Sequence, residues 1–309
     1  MSQFYTTAYL ASDGYEVELQ RELADAGIVV AFEHHGLLIT ASPPVASVWA
    51  ANIWHDVVSF EATSIGDAAR GLRALQRNWA VYAPDHAGRA RLIEQRLPHV
   101  SGRALDLGES APAAPLGSWT LLTPNRVLAS TRCSSPFPNG VPRLVEDREG
   151  PPSRAYLKLW EALLLLDWQP TAGDRCIDLG ASPGGWTWLL ATLGAEVVAV
   201  DKAPLADRVA AVPGVSWLQG SAFAIDPLSV GPIDLMVCDV IAYPKRTLAV
   251  VERWLPHVGA IVSTVKFQGD TDHDAVCSFV SLAATVGGRV VHLAHNKHEL
   301  TFLFRKAAS

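Results

Sequence analysis

The chain has 309 residues, 49% of them hydrophobic and 18% charged, and a net charge of −6. That length and composition suit one large or two modest domains with a real core and exclude a disordered chain. The excess of acid argues against a protein that grips nucleic acid by bulk electrostatics, and still allows a local basic patch.

No apolar run nears the ~18 residues of a membrane span, and no basic N-terminal region precedes an apolar one. A cytoplasmic protein without a membrane partner is therefore expected. Cys133, Cys176, Cys238 and Cys277 are scattered, with no Cys-x-x-Cys, which fits reduced thiols and offers no zinc pattern.

In chain order, Phe4–Leu10 reads as a strand. Tyr15–Ala26 reads as an amphipathic helix with Tyr15, Leu19, Leu23 and Ala26 on one face and Asp13 as its cap. Val29–Phe32 and Gly36–Thr40 read as paired strands around Glu33-His34-His35. The two histidines are taken as part of a hairpin turn, and no metal site is expected. Val45–Ala51 and Ile65–Leu75 look helical, Trp79–Tyr82 extended, and Arg89–Arg96 helical. Trp119–Thr123 and Arg126–Ser130 form a hairpin closed by Pro124-Asn125. The five prolines between Ser134 and Pro152 then mark a rigid connector. The division read here is a mixed α/β region over 1–133, a connector over 134–152 and a second domain over 153–309.

From Ser153 strand and helix alternate. Ala155–Trp168 is a helix with a strongly apolar face. Strands follow at Arg175–Asp178, Glu196–Asp201, Val215–Gln219, Ile233–Asp239 and Ala260–Lys266, then a helix over Asp274–Val286. Arg289–His295 and Leu300–Arg305 close the chain as an antiparallel pair. The fold class is α/β, a Rossmann-like, mostly parallel seven-stranded sheet whose last strand is reversed. Ligands of such sheets sit beyond the carboxyl ends of the strands, where Gly180, Asp201, Asp239 and Lys266 fall. Gly180–Gly185 is a glycine turn opening a helix over Trp186–Leu193, and Asp201 about twenty residues on can take two ribose hydroxyls. The spacing is not Gly-x-Gly-x-x-Gly, so a dinucleotide is not implied. Asp-x-Gly-x-x-Pro-Gly-Gly instead resembles the first motif of S-adenosylmethionine methyltransferases.

Four ionisable residues stand at chemically useful places. Lys158 is in the first turn of the leading helix, Asp239 ends the fourth strand of the domain, Lys266 ends the fifth and Glu299 opens the last. An ammonium at the end of an apolar strand needs partners. Together with Ser-Arg-Ala-x-x-Lys-Leu at 153–159 and Asp-Leu-Gly-x-x-Pro-Gly-Gly-Trp at 178–186, this set resembles the FtsJ/RrmJ-type ribosomal RNA 2′-O-ribose methyltransferases. Within them it is most similar to the RlmM branch, which methylates a cytidine ribose in 23S ribosomal RNA. Ser135-Pro136-Phe137 with Gly140-Val141-Pro142-Arg143-Leu144 resembles that branch's connector. Asp13-Gly14-Tyr15-Glu16-x-Glu18-x-x-x-Glu22-Leu23 resembles its N-terminal entry.

The resemblance implies a Lys-Asp-Lys-Glu tetrad at Lys158, Asp239, Lys266 and Glu299, with Lys266 the general base. It implies S-adenosylmethionine held by Asp178, Gly180, Ser182, Pro183, Gly184, Gly185, Trp186, Asp201, Ser221 and Asp239. It implies an RNA substrate, ribosomal RNA in particular and not DNA, and a shortened THUMP-like RNA-binding region over 1–133. A lysine serves as base only where desolvation or a neighbouring cation eases its deprotonation. Ser221 departs from the family, which often has an acid there against adenine. Arg132, Arg143, Arg148 and Arg154 are candidates for a local basic patch. Trp160, Trp168 and Trp188 are read as core, and Trp186 as core beside the cofactor. His295 and His298 are spaced as His-x-x-His with no third ligand beside them. Two other readings stay open: a cofactor-binding RNA or ribosome-assembly module without activity, and a methyltransferase acting on another hydroxyl.

Overall fold

The computed structural model describes residues 5–307. The chain divides into two compact units, one of residues 1–104 with 111–143 and one of 105–110 with 144–309.

Unit 1 runs β1 (Thr7–Ala11), α1 (Glu16–Asp25), β2 (Val30–His34), β3 (Leu37–Thr40), β4 (Ala50–His55), β5 (Val58–Glu61), α2 (Ile65–Leu75), β6 (Trp79–Val81), α3 (Ala87–Glu94), β7 (Gly117–Thr123), β8 (Arg126–Ser130) and β9 (Arg132–Cys133). It holds a five-stranded sheet ordered β2-β3-β1-β4-β9 and a four-stranded sheet ordered β5-β8-β7-β6. Ala8, Leu10, Leu37, Ile39, Trp54 and Leu128 form one buried cluster. Ala68, Ala69, Leu72, Trp79, Trp119 and Val127 form another under α2.

The expected hairpins are present, β2 against β3 and β7 against β8, both antiparallel. The first turns on His35-Gly36, both at positive φ, as a two-residue hairpin turn requires. Phe4, the first residue of the expected opening strand, lies outside the described residues. Two readings are corrected. Asp13 does not cap α1: Tyr15 is its N-cap residue and no side chain caps it. Val45–Ala51 is not helical. The Glu22 carboxylate accepts from the Ser47 hydroxyl and from the Val48 and Trp49 N–H groups, drawing this stretch into an irregular path that feeds β4.

Unit 2 runs α4 (Tyr156–Leu166), β10 (Arg175–Leu179), α5 (Gly185–Thr192), β11 (Glu196–Asp201), α6 (Asp207–Ala210), β12 (Val215–Gln219), β13 (Ile233–Cys238), α7 (Pro244–Trp254), β14 (Val258–Lys266), α8 (His273–Val286), β15 (Arg289–Val291) and β16 (Glu299–Arg305). Its seven strands are ordered β12-β11-β10-β13-β14-β16-β15. The pairs among β10–β14 are parallel, and β16 runs antiparallel to both β14 and β15. The expected sheet, with its reversed last strand, is thus the one observed. Central strands are buried on both faces and read as continuous apolar runs, as in Leu235–Cys238 and Ile261–Val262. Pro244 sits in the first turn of α7, where its missing N–H costs nothing. No element was expected between the strands at Ile233–Asp239 and Ala260–Lys266, and α7 fills that stretch.

The sheet's register places the site. Leu179 pairs with Val200 and Cys238, and Cys238 with Ser263, so Gly180, Asp201, Asp239 and Lys266 emerge at one edge. The reversed β16 begins there, pairing Glu299 with Lys266. Phe302 anchors this strand, fully buried and tilted against Phe279 of α8 at 6.1 Å. Phe302→Ala should lower unfolding stability by about 3–5 kcal/mol in urea titration; a loss below about 1 kcal/mol would contradict the packing described.

Candidate active site

The four ionisable residues form one cluster. Lys158 Nζ donates to both Asp239 carboxylate oxygens at 3.1 Å and to Glu299 Oε1 at 2.9 Å. Lys266 Nζ lies 2.9 Å from Asp239 Oδ1 and donates to the Asp239 main-chain oxygen at 2.8 Å. All four side chains are largely buried, from 8% exposed at Glu299 to 19% at Lys266. Burial works against the charge on Lys158, but the Asp239 and Glu299 carboxylates outweigh it and hold its pKa above the usual lysine value.

Two further side chains, one in the cluster and one behind it, were not foreseen. Thr264 Oγ1 donates to Asp239 Oδ1 at 2.7 Å. It stands two residues before Lys266 on β14, and the strand's period of two could have drawn attention to it. Glu161, one turn after Lys158 on α4, is 2% exposed. Its carboxylate accepts from the Ala294 and His295 N–H groups at 2.8 and 3.1 Å, and meets His295 Nδ1 at 2.6 Å. It fixes the turn that leads into Glu299. An acid within the run Leu-Trp-Glu-Ala-Leu was its signal in the sequence. His298 instead meets the Thr271 hydroxyl, so the two histidines of His-x-x-His are engaged separately.

Beside the cluster lies a cavity of about 550 Å³. Asp178, Gly180, Ser182, Pro183, Gly185, Trp186, Asp201, Ser221, Asp239 and Lys266 all line it; Gly184, Lys158 and Glu299 do not. Phe223, Val240, Ile241 and Arg246 line it as well and were not anticipated. The Arg246 guanidinium sits over the Phe223 ring at 4.0 Å. Such a volume, with a few convergent polar groups, is typical of a cofactor site.

Asp201 accepts from Ser182 N at 3.0 Å and Ala203 N at 2.9 Å. A carboxylate has about four acceptor positions, so room remains for ribose hydroxyls. The polar groups of the cavity, with Asp201 keeping acceptor positions free, suit a nucleoside–methionine cofactor. The glycines of the turn also serve internal packing. Gly180 has φ +85, and a Cβ there would meet Val240 Cγ1 at 2.4 Å; Gly184 has φ +109, with Val209 Cγ1 at 2.9 Å. Trp186 is buried, and its indole N–H donates to the Ala155 carbonyl at 2.8 Å, tying α5 to the start of α4.

The four arginines considered for a basic patch are each engaged. Arg132 pairs with Asp56, Arg143 donates to the Gly102 carbonyl, and Arg148 and Arg154 share Glu146.

Asp178 is 1% exposed and accepts from Thr187 Oγ1 at 2.7 Å. Burial pushes its carboxyl up to about 7, beyond what the Thr187 hydrogen bond can offset, and the charges of Asp239 and Asp201 act in the same direction. A folded pKa above the unfolded value means that the protonated acid favours the fold. Its contribution is complete below about pH 4 and declines as pH rises towards 7. Asp178→Asn cannot ionise. The stability difference between variant and wild type should thus grow in the variant's favour between pH 4 and 7, by on the order of a few kcal/mol. Parallel pH profiles in chemical unfolding would contradict this.

Residues 151–286 match the family model of the FtsJ-like methyltransferase. A ribosomal RNA large subunit methyltransferase M from Halorhodospira halophila is 36% identical over 180 residues, covering 56% of this chain and 52% of that protein. The one from Alkalilimnicola ehrlichii is 32% identical over 255 residues, covering 76% of this chain and 70% of its own. The chain spans about half the length of the first of these relatives. No helix among the described residues is long and apolar enough to cross a membrane. By the extent and identity of these matches, the chain belongs to the family of the ribosomal RNA large subunit methyltransferases M.

Proposed function

We propose that this protein transfers a methyl group from S-adenosylmethionine to a ribose 2′-hydroxyl of RNA, with large-subunit ribosomal RNA as the substrate. The observation that carries this reading is the ion cluster of Lys158, Asp239, Lys266 and Glu299, two of whose members line the cavity. When bound, S-adenosylmethionine supplies an electrophilic methyl group on a sulfonium.

The residues of this chain do the rest by position and proton transfer. A ribose hydroxyl is a weak nucleophile and must lose its proton as it attacks. Lys158 is held as an ammonium between two carboxylates, so it is the fixed cation of the site. The base is then Lys266, which faces the cavity and in its neutral amine form takes the hydroxyl proton at Nζ. Asp239 anchors Lys266 through both its carboxylate and its main-chain oxygen. Glu299 and Glu161 act behind it, holding Lys158 and the turn before β16. Asp201 and the Ser182–Gly185 turn keep the cofactor in place.

Residues 1–133 serve, in this reading, as a shortened THUMP-like RNA-binding region, with 134–152 the connector and 153–309 the methyltransferase domain. The relative aligned over 76% of this chain supports it, because an alignment of that length extends into unit 1. The cytoplasm is the corresponding location. A module without activity has less support, since burying two lysines with two carboxylates carries a desolvation cost that cofactor binding alone does not require.

Lys266→Ala should cut methyl transfer to unmodified large-subunit RNA by at least about 100-fold. Its affinity for S-adenosylmethionine in calorimetry should stay within about twofold, a change worth roughly 0.4 kcal/mol. A variant that retained transfer within tenfold of wild type would remove Lys266 from the base role.

A further inference from the structure

We propose that His34, His35 and Asp85 of unit 1 form a binding site for a zinc-class divalent cation. One nitrogen from each imidazole and one Asp85 oxygen lie within 4.8 Å of one another. Two imidazoles and one carboxylate form a borderline donor set, suited to zinc and its first-row neighbours more than to magnesium or calcium.

The buried member of the set marks it as more than a surface ion pair. His34 ends β2, is 6% exposed, and its Nε2 has no hydrogen-bond partner among the described residues. An orphaned buried ring nitrogen is costly unless something else occupies its lone pair. The ring makes a backbone hydrogen bond to Leu121, of the kind that orients a ligating histidine from behind and leaves the opposite nitrogen free.

The other two donors are already together. His35 Nε2 lies 2.6 Å from Asp85 Oδ2, and the two side chains are 55% and 48% exposed. The His34 and His35 rings meet edge to face, with centroids 5.1 Å apart. Donors bound to zinc at about 2.0–2.1 Å stand roughly 3.3 Å apart, so rotation of the two half-exposed side chains closes the set. Their exposure leaves the fourth position to water. The cation would join the tip of the β2–β3 hairpin to the segment between β6 and α3. The Tyr82 hydroxyl, which donates to the His35 carbonyl, already links the same two segments. The hairpin turn and the metal site are compatible, because the turn itself is His35-Gly36 and the two imidazoles stay in contact across it.

The test is titration of the chelator-stripped full chain with Zn²⁺ by calorimetry and with Co²⁺ by visible absorption. The wild type should bind one equivalent at this site, with the d–d bands of a nitrogen- and oxygen-ligated cobalt. His35→Ala/Asp85→Asn, which alters only half-exposed side chains, should weaken binding by at least about tenfold. His34→Ala should do the same. Saturating Zn²⁺ should raise the wild-type Tm by about 5 °C and leave the double variant unchanged. The proposal is overturned if the wild type binds neither cation, or if the double variant, folded by circular dichroism, binds with wild-type stoichiometry and affinity.

Discussion

One carboxylate, that of Asp239, is the point on which the site depends. Asp239 Oδ1 is shared by the Lys158 and Lys266 side-chain nitrogens and the Thr264 hydroxyl. Removing a carboxylate from such a cluster would leave the Lys158 ammonium poorly compensated in a poorly solvated place, far costlier than losing a surface ion pair. The cluster can form only if α4, β14, β16 and the end of β13 converge at one edge of the sheet. The parallel register provides that for Asp239 and Lys266, and the reversal of β16 brings in Glu299. Lys158 arrives from a helix whose other faces are apolar, and Glu161 on that helix pins the turn before β16. Fold and chemistry are therefore bound together: the strand that looks like a late addition to a parallel sheet carries one of the two acids that hold Lys158.

The cofactor side is built differently. Its shape comes from close packing around the turn. Gly180 and Gly184 combine positive φ with neighbours that leave no room for a side chain. Those glycines let the turn lie flat against Val240 and Val209, and the cavity is what remains in front. Asp178 contributes from beneath the floor. It is enclosed and bonded to Thr187, and burial pushes its carboxyl up to about 7. Two acids lining one cavity thus take opposite parts, Asp201 as an acceptor of main-chain N–H groups and Asp178 as a buried group bonded to Thr187.

Much of this was legible in the sequence, for physical reasons. Buried parallel strands must be continuous apolar runs, so β10, β11, β13 and β14 stood out, and the residues just past them were the natural site candidates. Lys158, Asp239, Lys266 and Glu299, scattered along the chain, meet as expected because the sheet order leaves them one edge to share. What escaped was set by tertiary contacts. Residues 45–49 have an ordinary local composition, and their path is dictated by the distant Glu22 carboxylate. The start of α7 was masked by a proline that reads equally as a turn or as a helix N-terminus. Arg246 and Phe223 gave no motif, since their stacking pairs residues from separate segments.

The central claim is that the acceptor is a ribose hydroxyl. It is tested most directly by incubating the purified protein with S-adenosylmethionine and unmodified large-subunit RNA, digesting the RNA to nucleosides and locating the added methyl by mass spectrometry. The account predicts a single 2′-O-methylated nucleoside, with the methyl lost together with the ribose on fragmentation. A methyl retained on the base, with the ribose untouched, would contradict it.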